Sequence, residues 1–115
     1  MIFDIEALKR HLSAAFNLPE DRAAEILCAA AQSLSENLER AEAGVVTGDY
    51  DRVFRAAHSL KGALGNLNLK EFAVKAQDIE IHARRAMDYD YAARLMELRA
   101  GLAPLISDGR HALGC

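Results

Sequence analysis

Residues 51–67 read DRVFRAAHSLKGALGNL, and at about 100° per residue this stretch divides into two faces. With His58 set at zero, Val53, Ala56, Ala57, Leu60, Leu64 and Leu67 fall in one arc from roughly 160° to roughly 260°. A continuous apolar arc needs a surface to cover it, so the stretch is a helix laid on a core, with His58 aimed away from that core. Phe54, Arg55, Asp51, Lys61, Gly62 and Gly65 lie within roughly 60° of the histidine. Two glycines inside a helix each cost about 1 kcal/mol relative to alanine. Neither faces the core arc, so tight packing does not account for them. Both lower the surface beside the imidazole and leave it open to close approach by another molecule.

Lys61 stands one turn after His58 on the same face, where a flexible ammonium reaches an anionic group carried on the imidazole. Its charge also disfavours protonation of the ring, and the neutral ring is the nucleophile. The pair reads as nucleophile and charge stabiliser. Phe54, one turn before the histidine, and Arg55 beside it offer an aromatic and a cation for a transient protein interface.

Outward from this stretch the whole chain reads as helical. Prolines number two and glycines seven, apolar residues recur at three- and four-residue spacing, and no strand pattern competes. A short first helix is expected from Asp4 as cap to about Asn17, with Ile5, Leu8, Leu12 and Phe16 on one stripe. A long second helix is expected to open at Pro19-Glu20-Asp21, to carry Ala24, Leu27, Ala31, Leu34 and Leu38 inward, and to stop near Gly44 before a connector over Val45 to Asp49. Asp49 or Asp51 caps the third helix, and Asn68 marks the turn after it. A fourth helix over about 70–87 places Phe72, Ala76, Ile79 and Ala83 inward. A fifth over about 89–106 does the same with Ala92, Leu95, Met96, Leu98 and Leu102, and Pro104 kinks or shortens it. Short connections favour antiparallel neighbours, so the expected fold is all-α: an up-down-up-down four-helix bundle over about 20–106, capped by the short N-terminal helix over about 4–17, in one domain.

The 115 residues, 51% hydrophobic and 27% charged, suit one soluble core. A formal charge of −3 without any block of like charges gives no basis for binding nucleic acid or anionic lipid. No apolar run approaches the roughly 20 residues of a membrane span and no leader pattern opens the chain, so a cytoplasmic location is expected. Cys28 and the terminal Cys115 suggest no disulfide framework. His11, His82 and His111 lack metal-ligand spacing and read as surface residues. Gln77 or Glu80 of the fourth helix could approach the His58 helix, although a solvated polar face is the favoured reading of them.

The run His58-Ser59-Leu60-Lys61-Gly62, continuing Ala63-Leu64-Gly65-Asn66-Leu67, resembles the signature of the histidine phosphotransfer (HPt) family. Gly48-Asp49-Tyr50 with Val53, Arg55 and Ala57 upstream, and Ala76 to Glu80 downstream, extend the likeness over roughly residues 25 to 105, with Ile79 replacing a leucine and Asn68 a glycine. The resemblance implies that His58 accepts a phosphoryl group through Nε2, that Lys61 contacts the phosphoryl oxygens, and that Gly62 and Gly65 leave room for the partner. The implied partner is the receiver domain of a response regulator or hybrid histidine kinase, which itself carries the Mg²⁺. The chain would then be a monomeric phosphorelay carrier, with no cofactor of its own and no autonomous kinase activity.

Two other readings stand beside this one. An adaptor with the same bundle would bind signalling partners without phosphotransfer, and intact His58 and Lys61 argue against it. A di-metal carboxylate bundle would need inward Glu-x-x-His pairs, and the sequence has none.

Overall fold

The computed structural model describes residues 4–109 and 115. Five α-helices follow one another among them: α1 Ile5–Phe16, α2 Glu20–Thr47, α3 Tyr50–Asn66, α4 Lys70–Arg84 and α5 Tyr91–Ala103, after which a π-helical turn covers Pro104–Gly109. Among the described residues there is no strand. The helix α3 packs between α2 and α4, α5 closes the ring against those same two helices, and α1 leans on α2 and on the terminal turn.

Three of the five starts carry a side-chain cap. The Asp4 carboxylate accepts from the Glu6 amide, Asp49 from Arg52 and Asp90 from Ala93, so three helix N-termini have a side-chain acceptor for a backbone donor left free. The stops use left-handed residues: Asn17 ends α1, Gly48 ends α2, Asn68 follows α3 and Ala86 follows α4. The α-helical pattern of α5 gives way at Pro104, as the sequence leads one to expect.

The second helix runs past Gly44 to Thr47, which corrects the expected stop and removes most of the expected connector. Gly48 supplies the left-handed cap, with the Asp49 amide donating to the Gly44 carbonyl at 2.8 Å. Gly44 serves packing instead. A Cβ there would lie 2.9 Å from Val53 Cγ2 and 3.1 Å from the Asp49 carbonyl oxygen, so its absence lets the start of α3 press onto α2. Gly101 does the same for α5 against α4, where a Cβ would fall 2.4 Å from the Phe72 ring.

The core is nearly all aliphatic, and the six residues of the α3 apolar arc are all buried. The inward stripe of α4 is as expected, whereas α2 buries Ala23 in preference to Ala24. On α5 the buried set is Tyr91, Leu95, Leu98 and Leu102. Ala92 and Met96, expected inside, are exposed, Met96 at 68%. A four-helix ring covers only a narrow stripe of α5, and those two residues fall beyond its edge. Outside the core, Arg99 ties α5 to α2 through a two-pronged ion pair with Glu42, at 2.9 and 2.7 Å.

Cys28 of α2 and Cys115 are joined in a disulfide, with their Cα atoms 5.9 Å apart. This corrects the expectation of no disulfide, which rested on the differing contexts of the two cysteines, one in an apolar helical stretch and one at the last position; only the fold brings them together across 87 positions.

Candidate functional site

The third helix presents His58 to solvent, its side chain 65% exposed. The next turn of α3 adds Lys61, and α4 packs alongside with Glu80 aimed at both. One Glu80 oxygen, Oε2, lies 2.9 Å from His58 Nδ1, and the other, Oε1, accepts from Lys61 Nζ at 3.0 Å. Glu80 holds this place because it directly follows buried Ile79 and stands one turn after buried Ala76, at the edge of the α4 inward stripe. Its side chain is only 12% exposed.

The chemistry of the triad follows from the state of Glu80. Burial alone would raise its pKa. The hydrogen bonds and positive charge of Lys61, with those of His58, outweigh burial and hold it below its ordinary value of 4.5. Glu80 is therefore a carboxylate near neutral pH, and a carboxylate only accepts hydrogen bonds. The proton facing it must sit on His58 Nδ1, so in the neutral ring the lone pair is on Nε2. That nitrogen has no hydrogen-bond partner among the described residues, and the exposed ring leaves it open to a reactant. The triad thus selects a tautomer and orients the ring.

Gly62 and Gly65 lie on the exposed side of α3, and a Cβ built on either meets nothing within 4 Å. Their lack of side chains is not demanded by packing inside the chain. Phe54, expected fully outward, is half-buried against the core edge. Its ring centroid lies 6.3 Å from that of His58. Together with Tyr50, Ala83 and Arg84 it lines a shallow cleft between α3 and α4 on the N-terminal side of the histidine. Arg55 is exposed and paired with Asp51 at 2.9 Å. On the other flank, Ala63, Asn66 and Leu67 border an apolar groove of about 560 Å³ whose far walls are Leu12 and Phe16 on one side and Ile26 and Ala30 on the other.

The structure therefore groups His58, Lys61, Gly62, Gly65 and Phe54 on one face, with Arg55 at its margin. It adds Glu80 as a partner of both charged groups. The sequence leaves Gln77 and Glu80 as alternatives for such an approach, and the structure brings in Glu80; the available signal is a carboxylate at the edge of an apolar stripe, on the helix that follows the histidine.

The other histidines lie elsewhere. His82, read as a surface residue, is 25% exposed. Its ring stacks on Tyr89 at 3.9 Å, and its Nδ1 donates to the Asp78 carbonyl at 2.8 Å. Tyr89 in turn donates to the Asp78 carboxylate, and burial together with that carboxylate pushes the phenol up to about 12. This cluster ties the end of α4 to the start of α5. His11 is half-buried on α1, and His111 lies outside the described residues. Among the described residues no group of three or more His, Cys, Asp or Glu side chains converges as a metal site would require.

A search of curated proteins and a search of solved structures each found no match. A family model described as Hpt domain matches residues 25–108, a span that contains His58, Lys61, Gly62, Gly65 and Glu80.

Proposed function

The chain belongs to the Hpt domain family, whose members are helical phosphocarriers of phosphorelays, and on that premise we propose that His58 takes a phosphoryl group from, or passes it to, an aspartate of a receiver domain. The observation that carries this reading is the triad. Glu80 holds the proton on Nδ1 and Nε2 is turned outward beside two glycines with open space around them.

In the forward step the Nε2 lone pair attacks the phosphorus of the receiver's aspartyl phosphate, and the aspartate carboxylate leaves in line. Nδ1 keeps its proton throughout, so the phosphorylated ring carries positive charge, which the adjacent Glu80 carboxylate stabilises. Lys61 starts 3.0 Å from Glu80, within a rotamer change of the new phosphoryl oxygens, and neutralises them. The receiver contributes the Mg²⁺. Positioning and charge neutralisation supply the catalysis, and the chain turns over no substrate of its own.

Gly62 and Gly65 admit the receiver, while Phe54, Arg55 and the apolar groove edged by Ala63 and Leu67 extend its footprint to either side. We read residues 1–115 as one domain in which the four long helices run up-down-up-down. The joints of two residues between α2 and α3 and three between α3 and α4 support this sense. A cytoplasmic location and a monomeric state complete the reading; no helix among the described residues is long and apolar enough to cross a membrane.

The test mixes the chain with a receiver domain carrying labelled aspartyl phosphate. Label that moves to the chain and is acid-labile but base-stable is expected, and His58→Gln should abolish it. Transfer persisting in His58→Gln would refute the assignment. Binding of the receiver without any transfer would favour the adaptor.

A further inference from the structure

The chain's two cysteines take no part in the His58 site. We propose that Cys28 and Cys115 form a reversible thiol–disulfide modification site whose co-reactant is a low-molecular-weight disulfide, and whose oxidation state sets how firmly the chain terminus is bound to the bundle.

Three observations carry this. Cys28 and Cys115 are the only cysteines, and their Cα atoms stand 5.9 Å apart, inside the range a disulfide spans without backbone movement. The π-helical turn that precedes Cys115 is itself seated on the core, with Leu105 and Ile106 buried at 0% and 6% and packed against α2 and α5. Finally, the two sulfurs differ in access, because Cys28 is half-buried on α2 whereas Cys115 is exposed. Exposed disulfides are the ones open to exchange with small thiols.

The exchange balances in two steps. The Cys115 thiolate attacks one sulfur of the small disulfide, forming a mixed disulfide and releasing one small thiolate. The Cys28 thiolate then attacks Cys115 Sγ, closing the internal bond and expelling the second thiolate. The protons of the two protein thiols end on the two released thiols, which also hold the two electrons given up by the protein sulfurs. Thiol excess runs both steps backwards.

The bond closes a loop of 87 positions that includes α3, α4 and α5, so oxidation restricts the unfolded chain and cross-links Cys115 to α2. The proposal stands independently of phosphotransfer. The full chain is equilibrated with graded ratios of reduced to oxidised glutathione, quenched, alkylated under denaturing conditions and weighed by mass spectrometry. Expected is one transition between species carrying zero and two labels, with both cysteines changing together. The melting midpoint should fall on the order of 10 °C on reduction. Cys28→Ser and Cys115→Ser should each melt like the reduced chain and no longer respond to reductant. Full labelling at every ratio, accumulation of a glutathione adduct on Cys115 without internal closure, disulfide-linked dimers, or equal midpoints in both redox states would each overturn it.

Discussion

Replacing Gly62 with alanine should make the protein more stable, and replacing it with glutamine should make it a poorer phosphoryl acceptor. Gly62 lies inside α3, its backbone is not left-handed, and an added Cβ meets nothing within 4 Å. No steric term opposes the substitution, so the helix-propensity difference of about 0.8–1.0 kcal/mol is gained in full. Unfolding entropy near 2.1 cal/mol/K per residue amounts to about 0.24 kcal/mol/K for a chain of this length, so the melting midpoint rises by about 4 °C. Far-ultraviolet circular dichroism reads that shift directly. Gly62→Gln keeps most of the gain in propensity while setting a bulky side chain one turn from His58 on the partner's path of approach. Misplacing reacting atoms by even an ångström is costly, so its initial transfer rate from a phosphorylated receiver should drop on the order of tenfold or more. The two measurements answer separate questions. A lower midpoint for Gly62→Ala would mean that the backbone needs glycine and that clearance is the wrong explanation. A wild-type transfer rate for a folded Gly62→Gln would mean that no partner comes close to this surface.

Glu80→Gln keeps the shape of the side chain but no longer fixes the proton on His58 Nδ1, and loss of such an orienting partner should slow transfer on the order of tenfold; nitrogen NMR of the imidazole should show a mixed tautomer population, and an unchanged population would refute the role. The pH dependence follows from the same group. Its folded pKa is below the ordinary 4.5, so its stabilising effect is complete above that value and is lost as pH falls through the lowered one. Urea unfolding at acid pH should therefore show a steeper loss of stability in the wild type than in Glu80→Gln, and coincident curves would count against the pairing. Gly101→Ala is the opposite of Gly62→Ala: its Cβ would meet the buried Phe72 ring at 2.4 Å, so it should destabilise by about 1–3 kcal/mol, and a chemical denaturation midpoint at or above wild type would contradict that packing.

Much of this was legible from residue order alone. The six apolar positions of α3 are all buried and His58 is outward, because helical periodicity is a local property that any covering surface must respect. The same holds for Phe72, Ala76, Ile79 and Ala83 on α4, and for the caps at Asp4 and Asp49, whose carboxylates act on amides two and three residues away. Phe54 was not legible in this way: its spacing turns it outward with His58, yet the structure half-buries it against the core edge, because how far a neighbouring helix covers a face is set by packing between helices.

The sequence by itself determined the helices, the inward face of each, and the outward set of His58, Lys61, Gly62 and Gly65, since these depend on spacing within a single turn or two. Tertiary structure alone decided that Glu80, 22 positions from His58, binds both the histidine and the lysine. It decided as well that Gly44 is a contact and Gly48 the stop, that Met96 is bare, and that Cys28 meets Cys115. Each of these depends on the rotation and separation of packed helices, which are set by how two surfaces interlock and which no period within one segment encodes.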